Sequence, residues 1–235
     1  MANIVSGLAH RDSASATDFV LRQGSEGNDK AGSLMELVAN ETVRSEGPAA
    51  ASRWAESLPY GPPKGNAMSR VAEAYVGRDP EAVARWAERF AGEDYASRSI
   101  EQVGARWAES NPLAAVGWLE SLPAGNGQIQ GLRTAFGDWE DKDPAAAGDY
   151  LLAMAESPQR DSAVSGFATG YAWQDPQTAI AWAQDIQDPG LRESSLRRVG
   201  QAFYRRDPDG ALAWLENSGL PDEARKSITT PQPRR

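Results

Sequence analysis

The sequence predicts an all-α protein, a solenoid of helix pairs with a 32-residue period. Two observations predict it: six prolines recur at intervals of 32 residues, and an aromatic residue stands six positions after each of them. The prolines are Pro48, Pro80, Pro112, Pro144, Pro176 and Pro208, and the aromatic residues are Trp54, Trp86, Trp118, Tyr150, Trp182 and Trp214. Such a fixed period is typical of repeat architectures, in which each repeat buries its apolar face against its neighbours.

Each repeat opens with a predicted helix, named helix A, whose start is marked by the residue before the proline. That residue is Asp79, Asn111, Asp143, Asp175 or Asp207 in five copies, and Gly47 in the first. Asp or Asn followed by Pro is typical of an N-cap and the first helical position. Apolar or aromatic side chains at positions 3, 6 and 10 after the proline predict the inward stripe of this helix, since their spacing is helical.

A second predicted helix, named helix B, follows a Pro- and Gly-rich break in each repeat. Apolar residues recur at positions 20, 23 and 27 after the proline, again with helical spacing. They are Met68, Val71 and Tyr75; Ile100, Val103 and Trp107; Leu132, Ala135 and Trp139; Val164, Phe167 and Tyr171; and Leu196, Val199 and Phe203. Neither helix is long enough to be stable alone, so we expect the repeats to stack as one domain.

The period divides the chain, and both of its ends are irregular. We expect a partial helix B at 1–12, a degenerate repeat at 13–47, regular repeats at 48–79, 80–111, 112–143, 144–175 and 176–207, a partial repeat at 208–228, and a disordered tail at 229–235. The incomplete edges favour a chain that is part of a longer array, or one with poorly capped ends.

Composition limits the partners and the chemistry. The formal net charge is −9, with −8 of it in residues 80–175, which disfavours nucleic acid and fits a cationic or neutral partner. The absence of cysteine excludes disulfides and thiolate sites and leaves cytoplasm and periplasm equally open. Because neither a signal peptide nor a membrane-spanning apolar run is present, we expect a soluble chain.

The Asp-Pro junction, the Ala at position 3 and the Trp at position 6 resemble the tetratricopeptide repeat, and more loosely the HEAT repeat. The chain is also similar to Asp-Pro/Trp helical repeats of bacterial proteins. The tetratricopeptide family has 34 residues per repeat and a small residue near the place of Leu58, Phe90 and Leu122, so the helix contact must differ here. The resemblance implies a right-handed superhelix of antiparallel helix pairs that displays a concave face to proteins or peptides.

Residues that could support catalysis, cofactor binding or metal binding have simpler interpretations. His10, the single histidine, is expected to be a solvated residue near a helix end. Gly125-Asn-Gly127 is superficially similar to a phosphate loop, but no strand precedes it and it falls where every repeat turns. The acidic group of Asp138, Glu140, Asp141 and Asp143 lacks the Gly and the bidentate Glu of a calcium loop, and Asp143 is already explained as a helix cap. The sequence therefore predicts no enzyme, no cofactor and no metal site.

A ladder of mostly acidic residues, eight positions after each proline, is the candidate partner-binding surface. Its members are Glu56, Glu88, Glu120, Gln184 and Glu216, with Leu152 interrupting it. We expect these side chains to be exposed on helix A, either as a solvated face or as an acidic track for a basic peptide. The aromatic residues of both stripes are expected in the core instead.

The predicted function is a non-catalytic scaffold that binds a protein or peptide on a concave face. Two alternatives stay open: a repeat module of, or accessory to, a larger enzyme, and a structural spacer or self-assembling element.

Overall fold

The computed structural model describes residues 1–230 of the 235-residue chain. This part of the chain is helical throughout, with fifteen α-helices, one short 3₁₀ helix at Asp94–Ala96 and no β-strand. The prediction of an all-α fold is therefore confirmed. Among these residues no helix has both the length and the apolar character that a membrane crossing requires.

The helices follow one another with short connections. They are α1 (Ala2–Arg11), α2 (Ser13–Ser25), α3 (Ala31–Glu46), α4 (Pro48–Ser57), α5 (Pro62–Val76), α6 (Pro80–Glu88), α7 (Ser97–Ala108), α8 (Pro112–Ser121), α9 (Asn126–Lys142), α10 (Pro144–Ala153), α11 (Pro158–Tyr171), α12 (Pro176–Gln184), α13 (Pro189–Arg206), α14 (Pro208–Glu216) and α15 (Asp222–Thr229). Thr229 of the predicted tail thus ends a helix, and residues 231–235 lie outside the described residues.

A helix begins at each of the six periodic prolines, as the sequence predicts. The carboxylate of Asp79 accepts a hydrogen bond from the backbone N of Ala82 at 2.9 Å, which satisfies an otherwise unpaired donor of the first turn. The same bond to the third helical residue is made by Asn111, Asp143, Asp175 and Asp207. Of the six helices that begin at these prolines, only α4 lacks a side-chain cap, because Gly47 occupies its N-cap position.

The chain divides into two compact units, each with its own packing. Unit 1 comprises Met1–Trp107 with Ser121–Gly131, and unit 2 comprises Ala108–Glu120 with Leu132–Arg235. In unit 1, α3 packs against α1, α4 and α5, and α5 packs against α4 and α6. In unit 2, α11 packs against α10, α12 and α13, and α13 packs against α12, α14 and α15. Within each unit, a second helix thus contacts both its own first helix and the second helix of the next pair.

The predicted stripe of helix B forms much of the core. Positions 20 and 23 after the proline are buried in all five regular repeats, and position 27 is buried in four, with Tyr171 half-buried. Burial of these large apolar side chains removes the most apolar surface from water, and so stabilises the fold most. The fully buried members with the largest side chains are Met68, Ile100, Leu132 and Val71.

The predicted stripe of helix A needs a correction. Position 3 is buried in every copy, but its partner across one turn is position 7, which the sequence analysis missed. Position 7 holds Ala55, Ala87, Leu119, Leu151, Ala183 and Leu215, all buried. The aromatic residues at position 6 are half-buried, because positions 3 and 7 form the i, i+4 row that faces the neighbouring helix and leave the rings at its flank. Position 10 is buried only at Leu58, Leu122 and Ile186.

A buried pair of charged residues, Arg160 and Asp161, holds the turn between α12 and α13 in unit 2. The Asp161 carboxylate accepts hydrogen bonds from the backbone N of Gln187 at 2.9 Å and of Asp188 at 2.8 Å. The Arg160 guanidinium donates to the Asp185 carboxylate at 2.6 Å. Both side chains are therefore satisfied, which the burial of a charge requires.

Candidate binding clefts

Unit 1 contains an open cleft, named cleft 1, between the first turns of α4 and α6. Its volume is about 300 Å³. The second half of α5 forms its floor through Val71 and Tyr75, and Trp86 closes one side. The lining residues are Pro48, Ala49, Ser52, Val71, Tyr75, Arg78, Asp79, Ala82, Val83 and Trp86.

Unit 2 contains a larger cleft, named cleft 2, between the first turns of α12 and α14. Its volume is about 620 Å³. Phe203 of α13 lies on its floor, and Ile180 and Trp214 form its apolar walls. The lining residues are Asp175, Pro176, Gln177, Ile180, Phe203, Arg206, Asp207, Gly210, Ala213 and Trp214.

The two clefts occupy the same positions of the sequence period. Eight of the ten residues that line cleft 1 have a counterpart lining cleft 2 at a distance of 128 residues, which is four periods. The pairs are Pro48 with Pro176, Ala49 with Gln177, Ser52 with Ile180, Tyr75 with Phe203, Arg78 with Arg206, Asp79 with Asp207, Ala82 with Gly210, and Trp86 with Trp214. The same local packing therefore produces the same concave surface in both units.

The two clefts differ at Gly210, which stands where cleft 1 has Ala82. A Cβ at Gly210 would overlap the Asp207 carboxylate and lie 3.2 Å from the ring of Phe203, so the close approach of the capping carboxylate explains this glycine. In cleft 1 the corresponding ring belongs to Tyr75, whose hydroxyl donates a hydrogen bond to the carbonyl of Val43 at 3.0 Å. Burial raises the pKa of this hydroxyl, so it stays protonated.

The rims of the clefts differ in charge. Both carry an N-cap aspartate and an arginine, but cleft 2 has a second carboxylate, Asp175, where unit 1 has Gly47. The Thr178 hydroxyl donates to Asp175 at 2.7 Å and lowers the pKa of that carboxyl, so it is ionised at neutral pH. Arg206 donates from one nitrogen to the carbonyls of Trp173 and Gln174, each at 2.6 Å, so this cation is held by backbone at the cleft edge.

Two members of the predicted acidic ladder bind neighbouring helices of their own unit. The Glu56 carboxylate accepts a hydrogen bond from the indole of Trp86 at 2.7 Å and also pairs with Arg89, so this side chain is only partly exposed. The Glu120 carboxylate accepts from the hydroxyl of Tyr150 at 2.6 Å. Burial, followed by that bond, raises the pKa of Tyr150 to about 12. Glu120 is nevertheless exposed, as are Glu88, Gln184 and Glu216, so only Glu56 departs from the expected exposure.

The acidic segment that ends at Asp143 has no geometry for a metal. Within residues 1–230, no group of three or more His, Asp or Glu side chains is arranged to hold an ion. Asp143 caps α10, as predicted. Glu140 turns inward instead, is only 3% exposed, and accepts a single hydrogen bond from Gln174 at 3.4 Å. Burial, with a smaller contribution from the charge of Asp141, raises the pKa of Glu140 to about 7.

Local structure accounts for His10 and for the glycines of the Gly125-Asn-Gly127 segment. The His10 ring is exposed, as expected, but its Nδ1 also lies 2.8 Å from the Glu41 carboxylate, which Arg44 binds as well. Gly125 precedes α9, as a turn residue should, while Gly127 lies inside its first turn. A Cβ at Gly127 would overlap Ser97, so close helix packing explains this glycine.

No protein-family model, no curated protein and no solved structure matches this chain. The resemblance to tetratricopeptide repeats therefore stays a prediction from the residues that carry it. A function has to be argued from the clefts and the surfaces around them.

Proposed function

We propose that the chain is a scaffold that binds a protein or peptide segment in clefts formed between successive helix pairs. In this proposal each unit is a right-handed stack of antiparallel helix pairs with a 32-residue period, as in tetratricopeptide arrays. Its function is non-catalytic, and the clefts are its binding sites.

Side-chain contacts at a spacing of about one period support the stacking. In unit 1, Trp86 reaches back 30 residues to Glu56, and Tyr75 reaches back 32 residues to Val43. In unit 2, Tyr150 reaches Glu120, and the hydroxyls of Ser165 and Ser195 lie 2.8 Å apart. Contacts of nearly constant sequence separation are those expected when each repeat touches its neighbour.

The recurrence of the cleft four periods apart is the observation that carries the proposed function. The repeated packing offers a partner the same concave surface in both units, which is how repeat proteins present a recognition surface. Both clefts also combine a buried aromatic floor with a few polar groups at the rim, which is the usual composition of a binding site.

The proposal is tested by substitutions that block both clefts in the full chain. Ala49 and Gln177 are exposed at equivalent rim positions, so Ala49→Trp combined with Gln177→Trp should cover the two mouths without disturbing the core. Binding sequences would be selected from a proteome-derived peptide library with the wild-type chain, and their dissociation constants measured by calorimetry. We expect the double variant to bind at least tenfold more weakly.

The matched control is Ala153→Trp, which adds the same ring at an exposed position that lines neither cleft. It should bind like the wild type. Equal affinity of the double variant, the control and the wild type would refute binding in the clefts. Failure to select any sequence would count against the scaffold function itself.

The acidic ladder stays a separate hypothesis for the same scaffold. Glu88 and Glu216 are exposed carboxylates that could contact a basic peptide, whereas Glu56 and Glu120 already bind aromatic side chains. Charge reversal at Glu88 alone therefore tests the track with the least structural damage, and unchanged affinity would reject it.

A further inference from the structure

Trp173 is an exposed aromatic side chain beside cleft 2. The residue is 52% exposed, although it is held on two sides. The Arg205 guanidinium lies 5.9 Å from the ring centroid, and the Trp173 carbonyl accepts a hydrogen bond from Arg206, which lines the cleft. Arg205 thus lies against the ring, Arg206 holds the backbone of the same residue, and about half of the surface of Trp173 is exposed to water.

The period does not require an aromatic ring at this place. The corresponding positions in the other repeats hold Gly77, Glu109, Asp141 and Arg205. Packing of the repeats thus explains the aromatic residues at positions 6 and 27, but not Trp173. An exposed tryptophan next to an apolar hollow is the kind of residue that dominates binding energy in protein interfaces.

We propose that cleft 2 and Trp173 together anchor a partner segment in which one aliphatic or aromatic side chain is flanked by lysine or arginine. This inference rests on the binding function proposed above and adds the site and chemistry of the partner. The anchor side chain enters cleft 2, and the neighbouring part of the segment packs on the Trp173 ring.

The apolar anchor follows from the walls of the cleft. Ile180 and Phe203 are 7% and 6% exposed, and the half-buried Trp214 completes an apolar hollow. Because the walls are already nearly buried, insertion of an aliphatic or aromatic side chain would remove mainly that side chain's own apolar surface from water, which contributes about 25 cal/mol for each Å² buried.

The flanking cations follow from the rim and from unit 2 as a whole. Asp175 and Asp207 cap the helices on the two sides of the cleft, while Arg206 is engaged by backbone carbonyls. By sequence, unit 2 carries a formal net charge of −6 and unit 1 of −3. The rim therefore carries two carboxylates and one guanidinium, and this excess of negative charge, like that of unit 2, favours cationic over anionic segments.

Three fluorescein-labelled peptides would test the inference on the full chain by fluorescence anisotropy. The first, GSKKLFKKSG, carries an apolar anchor between lysines; GSEELFEESG reverses the charge, and GSKKSSKKSG lacks the anchor. We expect the first peptide to bind at least tenfold more tightly than either of the others. Trp173→Ala should weaken its binding about 30-fold, as loss of an anchor residue does.

Two matched pairs of variants locate the site. Leu152 is also a large, exposed apolar residue of unit 2, but it lines neither cleft, so Leu152→Ala should change the affinity less than twofold. Gln177→Lys places a cation on the rim of cleft 2 and should weaken binding several-fold, less so at high salt. Ala49→Lys, at the same position of cleft 1, should have no effect.

The outcomes separate this inference from the function on which it rests. Binding of GSKKLFKKSG that is indifferent to Trp173→Ala and Gln177→Lys would overturn the assignment to cleft 2. Preference for the acidic or the anchorless peptide would overturn the partner chemistry, as would selection of unrelated sequences from the peptide library. Only failure of the library selection as a whole would remove the scaffold function itself.

Discussion

Replacement of Glu140 by glutamine should stabilise the protein at pH 8 and leave its stability nearly unchanged at pH 5. The Glu140 carboxyl is 3% exposed and has one long hydrogen bond, from Gln174. Its pKa is therefore raised from 4.5 to about 7. A neutral glutamine of the same shape removes the cost of a buried negative charge.

The sign of the pH dependence follows from the protons bound in each state. Between pH 4.5 and 7 the unfolded chain releases the Glu140 proton while the folded chain keeps it, so the free energy of unfolding falls as the pH rises. Above pH 7 the folded chain has also released the proton, and it bears the full free-energy cost of the buried Glu140 carboxylate. The interval between the two pKa values, at about 1.4 kcal/mol per pH unit, gives a ceiling of about 3 kcal/mol.

Urea denaturation of the wild type and of Glu140→Gln between pH 5 and pH 8, followed by far-ultraviolet circular dichroism, measures this effect. The difference in free energy of unfolding should grow across this range toward about 2 kcal/mol. Glu193, which is exposed on α13, supplies the control: Glu193→Gln should leave the pH profile of the wild type unchanged. Parallel profiles for the wild type and Glu140→Gln would refute the reasoning.

Three further changes probe the packing. A Cβ at Gly170 would overlap the Glu140 carboxylate, so Gly170→Ala should lower the free energy of unfolding by about 1–3 kcal/mol. In a background that already carries Glu140→Ala, the same change should cost much less. Glu56→Ala removes the acceptor of an indole and should cost about 1–2 kcal/mol in thermal denaturation, whereas the exposed Glu216→Ala should cost under about 0.5 kcal/mol. Asp161→Ala leaves two backbone N–H groups unpaired and should cost about 3 kcal/mol; a smaller loss than for Glu56→Ala would contradict this.

The period made the helices predictable because local chemistry determines where they begin. Asp79 and Pro80 specify an N-cap and a first turn through their own side chains, independently of the rest of the chain. The stripe of helix B was equally predictable, since its apolar residues recur at helical spacing in every regular repeat and their burial stabilises the fold. These features are properties of short segments, and they repeat because the segments repeat.

The face of helix A was predicted less well because small residues carry little signal. Ala55 and Ala87 are fully buried, yet alanine is common on every face of a helix. The tryptophans at position 6 dominated the predicted stripe by their size, although the structure leaves them at its flank. Close approach of two helix backbones requires small side chains between them, and a pattern of hydrophobicity does not identify such positions.

The clefts could not be predicted from the sequence, although several of the residues that line them were assigned. Pro48 was interpreted as a helix start, Tyr75 as core and Asp79 as a cap, and each of those roles is observed. A cleft arises from the space between these groups, and that space depends on how the helices pack. The period was the available signal, because it places equivalent positions in equivalent surroundings.

The positions that break the period carry the most information about function. A residue that agrees with the period is explained by folding, which every repeat must achieve in the same way. Glu140 stands where the other regular repeats have Val76, Ala108, Ala172 and Tyr204, and there it costs stability at neutral pH; Trp173 exposes an aromatic surface that packing does not use. Packing favours neither residue, which makes both of them candidates for a role in the proposed binding function. Gln174 connects Glu140 to the edge of cleft 2. Its side-chain amide donates a hydrogen bond to the Glu140 carboxylate, and its backbone carbonyl accepts one from Arg206.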